Sequence, residues 1–326
     1  MSGTIMLLGP QRPSPNLAEV LLTIPGDGRV VTVTAGWRHE EAETEALHRV
    51  AGPAAASLPI YQWFEDVMAA VPEIAEEWRQ RQAKIVELKN LHRIRMHPAL
   101  EALQKLLDRA VAGSEIARVQ IQWQLDQLRD IDQEFLDHSG LLCRQHPTVL
   151  KPWEHPAVAS YHQRAAELLA GARAVLIAGG HVAVLRNRLE FFGVEGLLRD
   201  NLHRGTSVVA WSAGAMALTE RILLFYDDPP DGPGHPELLD RGFELVRGLV
   251  LFPHCRRRLR LDETRRVSLL ATRLAPATCV GLESGAWLAQ VGARWVSRGD
   301  PGSALRLKPD GAVTSLTGVM GAEESA

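Results

Sequence analysis

The sequence predicts a three-layer αβα fold around a mostly parallel β-sheet, with a long helical segment inserted into it. Three observations carry this. Short apolar runs near Ile5 to Leu8, Arg29 to Thr34, Ala174 to Ala178 and Ser207 to Ala210 are followed by helix-like stretches, as expected of strands buried on both faces of a parallel sheet. The last three end in small-residue turns, Ala35-Gly36-Trp37, Gly179-Gly180-His181 and Trp211-Ser212-Ala213-Gly214-Ala215. Between the strand near Ser57 to Tyr61 and the one at Ala174 lie more than a hundred residues with helical periodicity and almost no β pattern.

Taken in order, the chain opens with the strand Ile5 to Leu8, a helix near Asn16 to Thr23, the strand Arg29 to Thr34, a helix from Glu40 to Val50 and the short strand Ser57 to Tyr61. Three amphipathic helices follow. Pro72 to Asn90 carries Ile74, Trp78, Ile85 and Leu88; Pro98 to Ala112 repeats Leu100, Leu103, Leu106 and Leu107; Ser114 to His138 carries Ile116, Val119, Trp123, Leu125, Leu128, Ile131 and Phe135. Pro98, Gly113 and Gly140 punctuate them. After Asp240 come a strand Leu249 to Phe252, a helix Asp262 to Leu274, a strand Cys279 to Leu282 and terminal hairpin runs. The expected division is a core of residues 1–61 and 172–320, a helical insertion over 62–171 and a frayed tail over 321–326.

Composition sets limits on function. With 326 residues, 46% hydrophobic, and a net charge of −3, the chain buries a sizeable core and offers no general nucleic-acid or membrane surface. No basic leader or membrane-length apolar stretch is legible, and Cys143, Cys255 and Cys279 lack metal-ligand spacing, so a reduced, cytoplasmic setting is expected. The insertion's His92, His97 and His138, with Glu87 and Glu134, do not have the Glu-x-x-His spacing of a carboxylate-bridged metal centre, and they read as surface residues.

Chemistry concentrates at two turns. A strand ending abruptly at Ser212 and entering a helix forces the serine out of the sheet, and the helix N-terminus behind it offers free N–H groups to an oxyanion. Gly180, thirty-two residues upstream, ends a neighbouring strand, so its N–H and that of Ala213 form a two-donor hole. Cys255 beside His254 is set aside as a nucleophile, because neighbours along a strand face opposite sides.

The stretch from Ala178 to Asp227 resembles the peptidase E and cyanophycinase family of serine peptidases, which shares its fold with class I glutamine amidotransferases. The resemblance rests on Gly179-Gly180, Gly193, Gly205 and Ala210-Trp211-Ser212-Ala213-Gly214-Ala215. It implies Ser212 as nucleophile and His254, in Phe252-Pro253-His254-Cys255, as base. Asp227, fifteen residues after Ser212, is the implied acid; Glu283, in Gly281-Leu282-Glu283-Ser284-Gly285-Ala286-Trp287, is the alternative from the cyanophycinase branch. Arg265 of Glu263-Thr264-Arg265 is implied to hold an acidic substrate group, and His181 stands where the family has asparagine, beside the substrate.

The expected activity is hydrolysis of an amide, peptide or isopeptide bond, next to an acidic residue, without metal or organic cofactor. Two alternatives are an inactive scaffold that uses the helical insertion as its interface and a hydrolase of a small-metabolite amide. The expected partner is a small peptide or amide substrate, with self-association through the insertion.

Overall fold

The computed structural model describes residues 3–111, 113–144, 151–225 and 235–320. Asp227 and the tail 321–326 lie outside the described residues. Five apolar runs form the parallel centre of the main sheet: β1 (Ile5–Leu8), β2 (Val30–Val33), β3 (Ala55–Ser57), β4 (Ala174–Ile177) and β5 (Ser207–Trp211), in the order β1-β5-β4-β2-β3. The strand period of two divides their side chains between two cores. Ile5, Leu7, Val31, Val33, Val175, Ile177 and Val208 enter one; Met6, Leu8, Val30, Leu176, Val209 and Trp211 enter the other.

Helices cover both faces. α1 (Leu17–Leu22) and α2 (Glu45–Ala51) close the smaller core through Val20, Leu21 and Leu47. The larger core takes α3 (Ile60–Ala70), whose Trp63, Phe64 and Val67 are buried in it. Two long helices follow, α4 (Pro72–Arg109) and α5 (Glu115–Arg144), paired with each other. α6 (Pro156–Leu169), α7 (Val182–Phe191), α8 (Val194–His203) and α9 (Ala213–Leu218) return to the larger core.

The chain then leaves the sheet for a two-stranded ribbon, β6 (Arg221–Leu224) and β7 (Glu237–Arg241), which the sequence did not announce. β8 (Leu249–Pro253), the one-turn α10 (Cys255–Arg258), α11 (Thr264–Leu274) and β9 (Thr278–Leu282) come next. β8 and β9 pair in parallel but form a second, four-stranded sheet with β12 (Ala304–Leu307) and β13 (Val313–Ser315). The antiparallel edge of the main sheet is built from β10 (Trp287–Val291), β11 (Arg294–Ser297) and β14 (Val319–Met320).

Two local expectations are corrected. The third strand lies at Ala55–Ser57, and Ile60 already starts α3, because Glu41 accepts hydrogen bonds from the N–H groups of Tyr61 and Gln62 and so caps that helix from outside. Pro98 does not divide the insertion; it sits inside α4. A proline costs an interior helix one hydrogen bond and some strain. Met96, Leu100 and Leu103 around it are buried against Leu125, Leu128 and Ile131 of α5 and Leu269 of α11, and that packing holds the helix continuous.

Two buried ionic clusters fix α4 to the rest. Arg81 donates to Glu190 of α7 at 2.6 Å. His92, expected at the surface, is instead buried and meets Asp132 of α5 at 3.0 Å, because Arg273 of α11 grips the same carboxylate at 2.7 and 2.8 Å and draws the cluster inside. Burial alone would raise the Asp132 pKa, but Arg273 and His92 hold it below the ordinary value, so the group stays an anion in the interior. No helix among the described residues is long and apolar enough to cross a membrane.

Candidate active site

Parallel pairing sets Leu8 against Trp211 and Ile177 against Ala210, so the loops after β1, β4 and β5 leave one edge of the sheet together. Ser212 follows β5 at φ 49°, ψ −120°, a backbone that costs a non-glycine residue about 1–3 kcal/mol. The surroundings impose it. Its N–H donates to the Leu8 carbonyl at 3.1 Å, extending the β1–β5 ladder, while its own carbonyl accepts from Met216 at 3.1 Å and starts α9. A Cβ on Gly179 would come within 2.9 Å of the Ser212 Cβ, and one on Gly214 would strike the Ile177 carbonyl oxygen. The small residues around the serine therefore make room for a strand-to-helix turn that lifts its side chain out of the sheet.

Gly180 stands beside this turn at φ 122°, pressed so closely on Gly36 that a Cβ would collide with the Gly36 carbonyl oxygen. That oxygen accepts the His181 N–H at 2.8 Å and locks the glycine pair. Among the described residues, the N–H groups of Gly180 and Ala213 donate to no protein acceptor, and both residues line the cavity over Ser212. His181 spends its Nδ1 on the Val184 N–H at 3.3 Å, capping α7, while its ring lines the cavity over Ser212.

His254 ends β8 in a left-handed conformation, φ 59°, ψ 33°, with its N–H on the Leu282 carbonyl at 3.0 Å. Ser212 and His254 line one cavity of ≈ 910 Å³, together with Trp37, Gly180, Phe225 and Arg258. Partial burial, then the charges of Arg258 and Arg257, push the His254 pKa below its ordinary value, and Glu283 opposes them. A neutral imidazole, the form able to accept a proton, is therefore favoured at neutral pH. The acid limb of kcat/KM is expected below the ordinary histidine value of 6.5. Arg258→Gln removes a positive neighbour, so the limb should move to higher pH; a pH–rate profile that moves the other way, or stays in place, contradicts the assignment.

Glu283, at the end of β9, accepts the Arg256 N–H at 2.8 Å and the Cys255 thiol at 3.1 Å through Oε1. These bonds fix a carboxylate close enough for its charge to act on His254. Cys255 is fully buried, and burial followed by the Glu283 charge pushes its thiol far above the ordinary value, so no thiolate nucleophile stands there. Burial likewise pushes the Cys279 thiol up to about 12.

Arg265 is not brought to this cavity. It pairs with Asp108 near the end of α4, with both side chains largely exposed. Arg12 and Arg258 line the cavity instead. For Arg12 the signal was topological: the loop after β1 must open on the same sheet edge as the loops after β4 and β5. Gly36, which clamps Gly180, was legible only as a strand end.

Residues 155–295 match peptidase family S51. Over 98% of this chain and 97% of the other, the fold is similar to the crystal structure of a peptidase from an acI-B1 Actinobacterium, at 15% identity and a TM-score of 0.50. A protein assigned as peptidase E from Listeria monocytogenes EGD-e aligns over 92% of this chain and 100% of its own, at 9% identity and a TM-score of 0.45. No curated protein matches the sequence. The family match spans α6 to β11 and includes Gly180, Ser212, His254 and Glu283. Residues 155–295, the part of the chain that carries both turns and the cavity over Ser212, are thus similar in sequence to peptidase family S51.

Proposed function

We propose that the chain hydrolyses a peptide or isopeptide bond with Ser212 as nucleophile and His254 as base. The observation that carries this is the strained backbone of Ser212, held above a helix N-terminus in the same cavity as His254. His254 takes the Ser212 proton as Oγ attacks the carbonyl carbon, and the N–H groups of Gly180 and Ala213 receive the oxyanion. Collapse of that intermediate expels the amine, which takes the proton back from His254. Water, deprotonated by the same imidazole, then releases the acyl group.

Glu283 is the acid we assign to orient His254, on the strength of its fixed carboxylate and its effect on the imidazole. Glu283→Gln should lower kcat by roughly two to four orders of magnitude. Because the glutamate is the group that raises the His254 pKa, the residual acid limb should also move to lower pH. Asp227→Asn should cost much less. Should Asp227→Asn be the severe change and Glu283→Gln the mild one, the aspartate fifteen residues after the nucleophile takes the role.

For specificity, the preference for an acidic residue beside the scissile bond is better attached to Arg12 and Arg258, which line the cavity, than to Arg265, which Asp108 engages. A guanidinium in such a cavity suits bidentate capture of a carboxylate.

A further inference from the structure

A second hollow of ≈ 210 Å³ opens between α4 and the β6–β7 ribbon. Leu224 and Leu239 line both this chamber and the cavity over Ser212, so the ribbon is their common wall. Met96, Leu100 and Leu238 make the chamber apolar. Its polar wall is one face of α4, where Lys89, His92, Arg93 and His97 recur at helical spacing.

These groups are not equally available. His92 is committed to Asp132, and Arg93 to Glu237 at 3.1 Å. Among the described residues, Lys89 makes no hydrogen bond or ion pair; Asp240 acts on it only at longer range. Burial lowers its pKa, so the ammonium stands partly desolvated, and among the described residues no carboxylate pairs with it. The wall itself is held, since α4 is clamped by Arg81 on Glu190 and by the His92–Asp132–Arg273 cluster. Among the described residues, the Lys89 ammonium beside the acid Glu237 suits a monoanion on an apolar stem better than a dianionic phosphate.

We propose that this chamber is a remote subsite of the catalytic cavity, in which Lys89 receives a carboxylate that an acidic peptide substrate carries beyond the residues held at Ser212. The proposal rests on the serine-peptidase reading and adds to it a role for the helical hairpin: α4 contributes substrate recognition at a distance from the chemistry. The substrate crosses the ribbon over Leu224, 37% exposed, and Leu239, whose side chains cover its apolar stem.

The test is binding to the Ser212→Ala protein, which requires no turnover. Isothermal titration would compare three short peptides that differ only beyond the scissile bond: a neutral one with an amidated end, the same with a glutamate and an amidated end, and the neutral one with a free C-terminus. At least one carboxylate-bearing peptide should bind about tenfold more tightly than the neutral amide, as expected of a charge-assisted hydrogen bond. Which of the two does so distinguishes a side-chain from a terminal carboxylate. Adding Lys89→Met should erase the preference, and Lys89→Arg should keep it. Equal affinity for all three peptides, a preference that survives Lys89→Met, or its loss in Lys89→Arg overturns the subsite. Failure of the peptidase reading would appear separately, as absence of fluorophosphonate labelling at Ser212 in the unaltered protein.

Discussion

Ser212→Ala is expected to abolish turnover, by roughly four to six orders of magnitude, and to remove labelling by a serine-reactive fluorophosphonate. The change deletes one oxygen. Alanine at φ 49° meets the same backbone cost as serine, and no hydrogen bond of the fold uses the Ser212 hydroxyl among the described residues, so thermal unfolding should be unchanged. Mass spectrometry of the labelled protein would locate the adduct. Equal labelling of the alanine variant, or an adduct on another residue, would falsify the nucleophile assignment. Residual hydrolysis well above the water rate is expected even so, because the N–H groups of Gly180 and Ala213, proposed to receive the oxyanion, are untouched by the change.

His254→Ala should be nearly as severe, since nucleophile and base act as a unit and removing either costs about as much as removing both. The double variant Ser212→Ala/His254→Ala should therefore lose little more than either single change. Additive losses would mean that the two side chains do not share a proton. A steady-state rate within tenfold of the parent would exclude His254 as base. Because His254 caps nothing with its side chain, and an alanine keeps both the N–H bonded to Leu282 and the carbonyl that accepts from Arg257 and Arg258, its replacement should spare the end of β8.

The sequence by itself determined the geometry of the two turns. Gly179-Gly180 and Trp211-Ser212-Ala213-Gly214 were legible because strand-to-helix turns at a parallel sheet edge need small residues wherever backbones touch, and those needs are local: Gly214 against the Ile177 carbonyl, Gly179 against the Ser212 Cβ. The strands were legible for a similar reason, since alternate residues must fill two cores at once. His254 came from a motif at a strand end, and the structure sets it in the cavity of Ser212. Local signals failed where packing overrides them. Pro98 marks a break by its own propensity, yet α4 runs through it because Leu100, Leu103 and Leu128 are buried together.

Only the tertiary structure decided which charges meet. Arg265 carries a motif and ends on the surface against Asp108, whereas Arg12 carries none and lines the cavity. Charge is not periodic, so a run such as Arg256 to Arg266 does not reveal which guanidinium faces a site. Pairing between distant strands is equally silent in one dimension: the pattern of β8 and β9 suits a parallel pair, but not whether that pair joins the main sheet or builds its own with β12 and β13. The partners that settle both questions are brought together by folding, across tens to hundreds of residues, and no local spacing records them.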